Sequence, residues 1–187
     1  MGDSWRLNQW EAMKRELSFF PDVSLELKNA NGNTKQQILD VEQMIEEKYD
    51  LIIISPNDYQ LSTAIDKAYS AGIPVVILDR RTASTNYTAF VGAENKQVGE
   101  QAGAYAYAIS KKESVRVVEV IAGSKDSPAV DRHEGFTAVT QSAKNLIAFP
   151  TIYSGDNDSV KVQKELMKIP TVDIIFAHND RLAFTVS

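Results

Sequence analysis

Five short polar clusters each directly follow an apolar run: Ser55-Pro56-Asn57-Asp58, Asp79-Arg80-Arg81, Ala122-Gly123-Ser124-Lys125-Asp126, Ser154-Gly155-Asp156-Asn157-Asp158 and His178-Asn179-Asp180. They are rich in Asp, Asn and Arg. An Asp carboxylate accepts from two hydroxyls, an Arg fork donates to two oxygens, and an Asn amide does one of each. That is the set a polyhydroxyl ligand needs, because each hydroxyl carried out of water must find a new partner. Trp5 adds a flat apolar face of the kind that covers the C–H side of a sugar ring. Taken singly, each Asp or Asn also reads as a turn former or a helix N-cap. Recurrence on successive clusters is what points to a ligand.

Catalytic chemistry has less to work with. The chain has no cysteine and two histidines, His133 and His178. Disulfides, thiolate chemistry and Cys-type zinc sites are therefore excluded, and two isolated histidines make a poor metal set. His133-Glu134-Gly135-Phe136 is not HExxH, and no GxSxG, GxGxxG or GxxxxGK[ST] pattern occurs. Asp156 and Asp158 lack the glycine and distal Glu of a calcium loop. We expect no catalytic residue, no metal and no cofactor. Twenty Lys+Arg against 25 Asp+Glu leave a net charge of −5, so there is no basic field for a nucleic acid. No apolar run has the length of a bilayer span, and no N-terminal stretch reads as a signal peptide.

The clusters must be held by something regular, and the pattern between them supplies it. Val23–Leu27 alternates apolar and polar as a half-buried strand does. Leu51–Ile54, Val75–Leu78, Val115–Ile121 and Val172–Ala177 are near-continuous apolar runs, the mark of strands buried on both faces. Phe90-Val91 and a weaker run, Ile147–Tyr153, complete the strands. Between them lie helical patterns at 34–48, 61–71, 98–109, 128–143 and 160–167. In the third of these we expect Val98, Ala102, Tyr105 and Ile109 to form the packing stripe. Strands alternating with helices of this length mean parallel βαβ units. In such sheets ligands bind beyond the carboxyl ends of the strands, which is where the five clusters fall.

The expected fold class is α/β, with two Rossmann-like lobes of parallel sheet at 1–93 and 94–187, the seam falling at Ala93-Glu94-Asn95. The chain opens in a helical pattern (Trp5, Met13, Leu17) and stops at Phe184-Thr185-Val186-Ser187, just inside another helix. A doubly wound fold normally opens with a strand. A fragment fits both ends better than a complete flavodoxin-sized domain.

Several runs of residues resemble one family. Asp50-Leu-Ile-Ile-Ile-Ser-Pro-Asn57, Ala71-Gly-Ile-Pro-Val-Val-Ile-Leu-Asp-Arg80 and Val91-Gly-Ala-Glu-Asn95, with Gly99 and Gly103, look like the ribose-binding-protein group of type I periplasmic binding proteins, the LacI-like fold. Arg132-His-Glu-Gly-Phe136 and Phe176-Ala-His-Asn-Asp180 extend the match in the same order, over nearly the whole chain. Asn29-Ala-Asn-Gly-Asn33 and Tyr87-Thr-Ala-Phe-Val-Gly-Ala-Glu-Asn95 look closer to one branch, the sugar-sensing periplasmic domains of hybrid two-component sensor kinases. The resemblance implies two lobes around a small carbohydrate, with the first strand and the C-terminal part of the fold lying outside this sequence. It places ligand contacts at Asp3, Trp5, Arg6, Asp79, Arg80, Arg132, Asn157 and Asn179, with Asp79 and Arg80 acting from the first lobe. Arg6 and Asn157 stand where the family often has aromatics. The implied function is non-enzymatic sugar binding in the periplasm, coupled to a kinase module in the same polypeptide; a homodimer is compatible with it. Two alternatives share the fold: the effector domain of a cytoplasmic LacI-type repressor, and the solute-binding protein of a sugar transporter.

Overall fold

The computed structural model describes residues 4–121, 127–154 and 159–186. The chain forms two compact units: residues 1–78 with 82–91, and residues 79–81 with 92–187.

In the first unit, helices α1 (Ser4–Leu17), α2 (Thr34–Glu46) and α3 (Ser62–Ser70) accompany strands β1 (Ile52–Ile54), β2 (Val75–Leu78) and β3 (Ala89–Val91). The strands are parallel in the order β1-β2-β3, with Ile52 opposite Val75 and Val76 opposite Ala89. The core is Val41, Ile52, Ile54, Leu61, Ala64, Ile65, Ala68, Ile73, Val75 and Ile77. Asn33 starts α2 by accepting the Gln36 N–H on its side chain. Gly72, at φ +85°, ends α3: its own N–H reaches Tyr69 O while Ile73 N–H reaches Ala68 O, a turn that needs the left-handed region. Lys48 plays the same part after α2 at φ +55°, without glycine's freedom.

The second unit contains α4 (Asn95–Ile109), β4 (Val115–Ile121), α5 (Ser127–Ser142), β5 (Leu146–Ala148), β6 (Ile152–Tyr153), α6 (Ser159–Leu166), β7 (Ile174–Ala177) and α7 (Asp180–Val186). β4 is central and every pairing is parallel: Val117 faces Ala148 of β5 and Ile174 of β7, while Val120 faces Ile152 of β6 and Ala177 of β7. Its apolar run is buried on both sides. Val115 and Val117 pack with Ala106 of α4 and Phe136 of α5; Val118 and Val120 pack with Val162 of α6 and Leu182 of α7. Each such valine contributes roughly 1.5–3 kcal/mol on leaving water.

Three expectations are corrected. Val23–Leu27 is not a strand, for it has no neighbouring strand to pair with among the described residues, and alternation without a ladder partner does not hold an extended chain in a sheet. Ile147–Tyr153 is not one strand but two, β5 and β6, parted by Pro150, which has no N–H to give to the ladder. Finally, α4 does not pack through Val98, Tyr105 and Ile109, which are exposed. It buries Asn95, Gly99, Gly103 and Ala106 instead. A Cβ on Gly99 would stand 2.0 Å from Arg132 O, and one on Gly135 would stand 2.0 Å from Lys96 O. Small residues let α4 and α5 touch backbone to backbone, and that closeness outranks the larger apolar stripe in choosing the buried face.

Candidate functional site

In the first unit, the tip after β1 is tied down by neighbours. Arg6 of α1 donates through Nη1 to Asn57 Oδ1 at 3.0 Å and through Nη2 to Pro56 O at 3.3 Å. Gln37 of α2 accepts from Asn57 N at 2.9 Å and donates to Ser55 O at 3.0 Å. Asp58 accepts from Thr34 Oγ1 at 2.6 Å and from Gln60 N at 2.8 Å. Here the turn-and-cap reading of Asp and Asn holds, and Arg6 works as a tie between α1 and β1. Trp5 presents a largely exposed ring, 59% accessible. Asp3 lies outside the described residues. A cavity of about 150 Å³ runs beside the edge strand β1, lined by Leu27, Val41, Met44 and Ile52 with Arg6 and Asn57 among its polar lining. It is smaller than the roughly 300 Å³ at which ligand pockets begin, and it flanks the strand's edge.

In the second unit, Asp79–Arg81 belong with α5 although β2, which precedes them, belongs to the first unit. Asp79 and Arg80, expected to act from the first lobe, thus follow a strand of the first unit and are grouped with the second. The reason is local: Arg81 N–H donates to Ser127 Oγ at 2.7 Å, anchoring the segment to the start of α5. Arg81 also pairs with Glu94 at 3.0 Å. Asp79 has φ +63°, a conformation that Asp and Asn tolerate better than other side chains. Asp79 and Arg80 are half-buried.

Arg132 sits on the second turn of α5. Its Nε donates to Pro128 O at 3.0 Å and its Nη1 to His178 O at 3.1 Å. Beside it, burial pushes the Asp131 carboxyl above its ordinary value, Glu134 adding to the rise and Arg81 opposing it. Asn179 follows His178 and begins α7: its Oδ1 accepts the Leu182 N–H at 2.9 Å. The cap occupies the amide's oxygen and leaves Nδ2 as a donor on an exposed residue. The structure thus brings Arg132 and Asn179 to one peptide group, the His178–Asn179 link. Asn157 lies outside the described residues.

The sequence reading missed the group beneath that peptide. Glu119, in the middle of β4, is 4% exposed. Its Oε1 meets His178 Nε2 at 2.8 Å; its Oε2 meets His133 Nδ1 at 2.6 Å and accepts from Thr151 Oγ1 at 3.2 Å. Burial pushes its carboxyl up, but the hydrogen bonds from His178 and then His133 outweigh it together, holding the group below its ordinary 4.5. The signal that would have found it was in plain view: one acid in the otherwise apolar Val117–Ile121.

The whole chain, residues 1–187, matches the family model for the periplasmic binding protein domain, and it belongs to that family. Its fold is that of the type I periplasmic binding proteins, α/β with parallel sheets. The chain is 32% identical to the fructose binding periplasmic domain of a hybrid two-component system, with a TM-score of 0.88 over 98% of this chain and 62% of that one. It is 27% identical, with a TM-score of 0.82 over 97% of this chain and 62% of that one, to a structure from Mycobacterium smegmatis in complex with β-D-fucofuranose. Among curated proteins it is 30% identical over 161 residues to the ribose import binding protein RbsB of Bacillus subtilis (strain 168), matching 83% of this chain and 51% of that protein. The chain spans about half the length of that relative.

Proposed function

We propose that this chain is the carbohydrate-binding part of a periplasmic receptor domain, non-enzymatic, and that it serves a sensor whose kinase module lies in the same polypeptide. The observation that carries the reading is the match across 98% of the chain, at 32% identity, to a fructose-binding periplasmic domain of a hybrid two-component system. The polar groups of the second unit agree with it. Arg132 and Asn179 offer donors at one peptide, Asp79 offers acceptors, and Arg80 a second fork, which is what ring and exocyclic hydroxyls require. Trp5 offers the stacking face. Asp3, Arg6 and Asn157 complete the proposed contact set.

Calorimetric titration with D-fructose and D-ribose tests the reading. We expect one of the two to bind, with Arg132→Ala abolishing measurable heat in a folded protein. Absence of binding by both, or normal binding in Arg132→Ala, would overturn it. A second reading, the binding protein of a sugar importer, has its own support in the 30% identity to a ribose import binding protein. Sugar-dependent autophosphorylation of the full-length protein separates the two: a sensor shows it and an importer component does not.

A further inference from the structure

We propose that Glu119 is a positioning residue for sugar recognition: by fixing the His178 ring it fixes the His178–Asn179 peptide, and with it the Arg132 fork that the carbonyl of His178 holds and the Asn179 amide that follows. This rests on the sugar-binding reading above and names the device that aligns its second-unit donors.

The geometry runs as a chain of short contacts. His178 is held in three ways. Its N–H donates to Val120 O of β4 at 3.1 Å, its ring Nε2 meets Glu119 Oε1 at 2.8 Å, and its carbonyl accepts from Arg132 Nη1 at 3.1 Å. The ring is further packed on Phe176, centroids 4.9 Å apart, and Phe176 on Phe136 of α5, 4.6 Å apart. His133, the neighbour of Arg132 on α5, holds the other carboxylate oxygen at 2.6 Å. Glu119 therefore ties the segment carrying Asn179 to the helix carrying Arg132 through one carboxylate.

Proton accounting fixes the roles. An ionised carboxylate only accepts, so His133 donates from Nδ1 and His178 from Nε2. Among the described residues, His178 Nδ1 is then buried with no hydrogen-bond partner. Leaving a ring nitrogen bare in the interior is unfavourable, and so is burying a carboxylate where Val115 and Val117, on the same face of β4, are plain valines. A packing position would be served better by a third valine. The arrangement makes sense where the direction of His178 matters more than the local stability it costs.

The test is D-fructose titration of the purified protein, or D-ribose titration where that sugar binds more tightly, alongside thermal melting. Glu119→Gln retains one acceptor but sets an amide N–H against an imidazole N–H. His178→Leu removes the ring's donor. We expect each to weaken binding about tenfold or more, as loss of an orienting partner commonly does. His178→Gln, whose amide nitrogen reaches the place of Nε2 and donates to Glu119, should recover affinity to within about threefold of the native protein. A packing role alone would not be rescued this way, because Gln restores the donor and not the aromatic shape. Folded Glu119→Gln protein with native affinity, while Arg132→Ala binds nothing, would overturn the positioning role and leave the sugar reading standing. Native affinity in Arg132→Ala, or no heat with either sugar, would overturn the sugar reading and the proposal with it. Should Glu119→Gln not fold, equal affinities in His178→Leu and His178→Gln would overturn the proposal.

Discussion

Gly99 and Arg132 meet through their main chains: a Cβ on Gly99 would lie 2.0 Å from the Arg132 carbonyl oxygen and 2.8 Å from Phe136 N. Backbone atoms in the middle of a helix cannot step aside, so any side chain at 99 must push α4 and α5 apart. The same holds in reverse at Gly135 against Lys96 O. The helix thus displaced carries both Arg132 and His133.

Gly99→Ala and Gly135→Ala should therefore each destabilise the second unit by roughly 2–3 kcal/mol, the upper part of the usual overpacking range. Gly103→Ala should cost less, because its new methyl would meet Val139 Cβ at 2.8 Å and Phe136 O at 3.3 Å, a milder overlap than 2.0 Å from a carbonyl oxygen. Chemical denaturation of the three variants checks the order. A Gly99→Ala protein as stable as the native one would show that the two helices are not in this close register.

Asn179 offers a separation of stability from binding. Its oxygen caps α7 at Leu182 N, 2.9 Å away, and its Nδ2 is the donor proposed for the sugar. Asn179→Asp keeps an acceptor for the cap and removes the donor, so melting should hardly change while sugar affinity falls. Asn179→Ala loses both, with about 1 kcal/mol of stability gone as well. Melting and titration of the pair check this; a loss of stability in Asn179→Asp equal to that in Asn179→Ala would mean the cap does not form.

Lys48 gives a prediction in the opposite direction. It closes α2 at φ +55°, where Tyr49 N–H reaches Met44 O and its own N–H reaches Ile45 O. A residue with a Cβ pays about 1 kcal/mol there and glycine does not. Lys48 is exposed, so Lys48→Gly should stabilise the first unit by a few tenths of a kcal/mol, after glycine's greater unfolded-state entropy is set against the relief. Denaturant midpoints decide it, and a lower midpoint in the glycine variant would contradict the turn.

What the sequence revealed, and where it stopped, follows from the reach of each interaction. The apolar runs at 75–78, 115–121 and 174–177 could be read because β-strands buried on both faces leave few polar positions. The turn at Gly72 could be read because only glycine takes that backbone shape without cost. The buried face of α4 could not, since Gly99 and Gly103 are inward only by virtue of Arg132, Phe136 and Val139, some 33–37 residues further on. The tip residues were legible as polar clusters, yet their fates diverge: Asn57 and Asp58 are spent on caps and ties, while Arg132 and Asn179 share one peptide. Arg6 shows the same limit, because its ties to Pro56 O and Asn57, some 50 residues away, could not be read from the sequence. Glu119 was visible as an anomaly but its partners, at 133, 151 and 178, were not.

The carboxylate of Glu119 also predicts how stability depends on acid. Burial raises its carboxyl, the hydrogen bonds of His178 and His133 lower it, and the net position is below the ordinary 4.5. A group whose folded-state value lies below its unfolded one binds protons more readily when unfolded. It therefore stabilises the fold at every pH above the unfolded value, and that contribution drains away as pH falls through the folded value. Glu119→Gln, which has nothing to titrate at this position, lacks the term throughout. The difference in melting temperature between native protein and Glu119→Gln should thus be steady well above pH 4.5 and shrink as pH falls through it. Melting curves of both proteins in acid steps check this. A gap that widens below pH 4.5 would mean that Glu119 is neutral in the folded chain, and that His133 and His178 do not both donate to it.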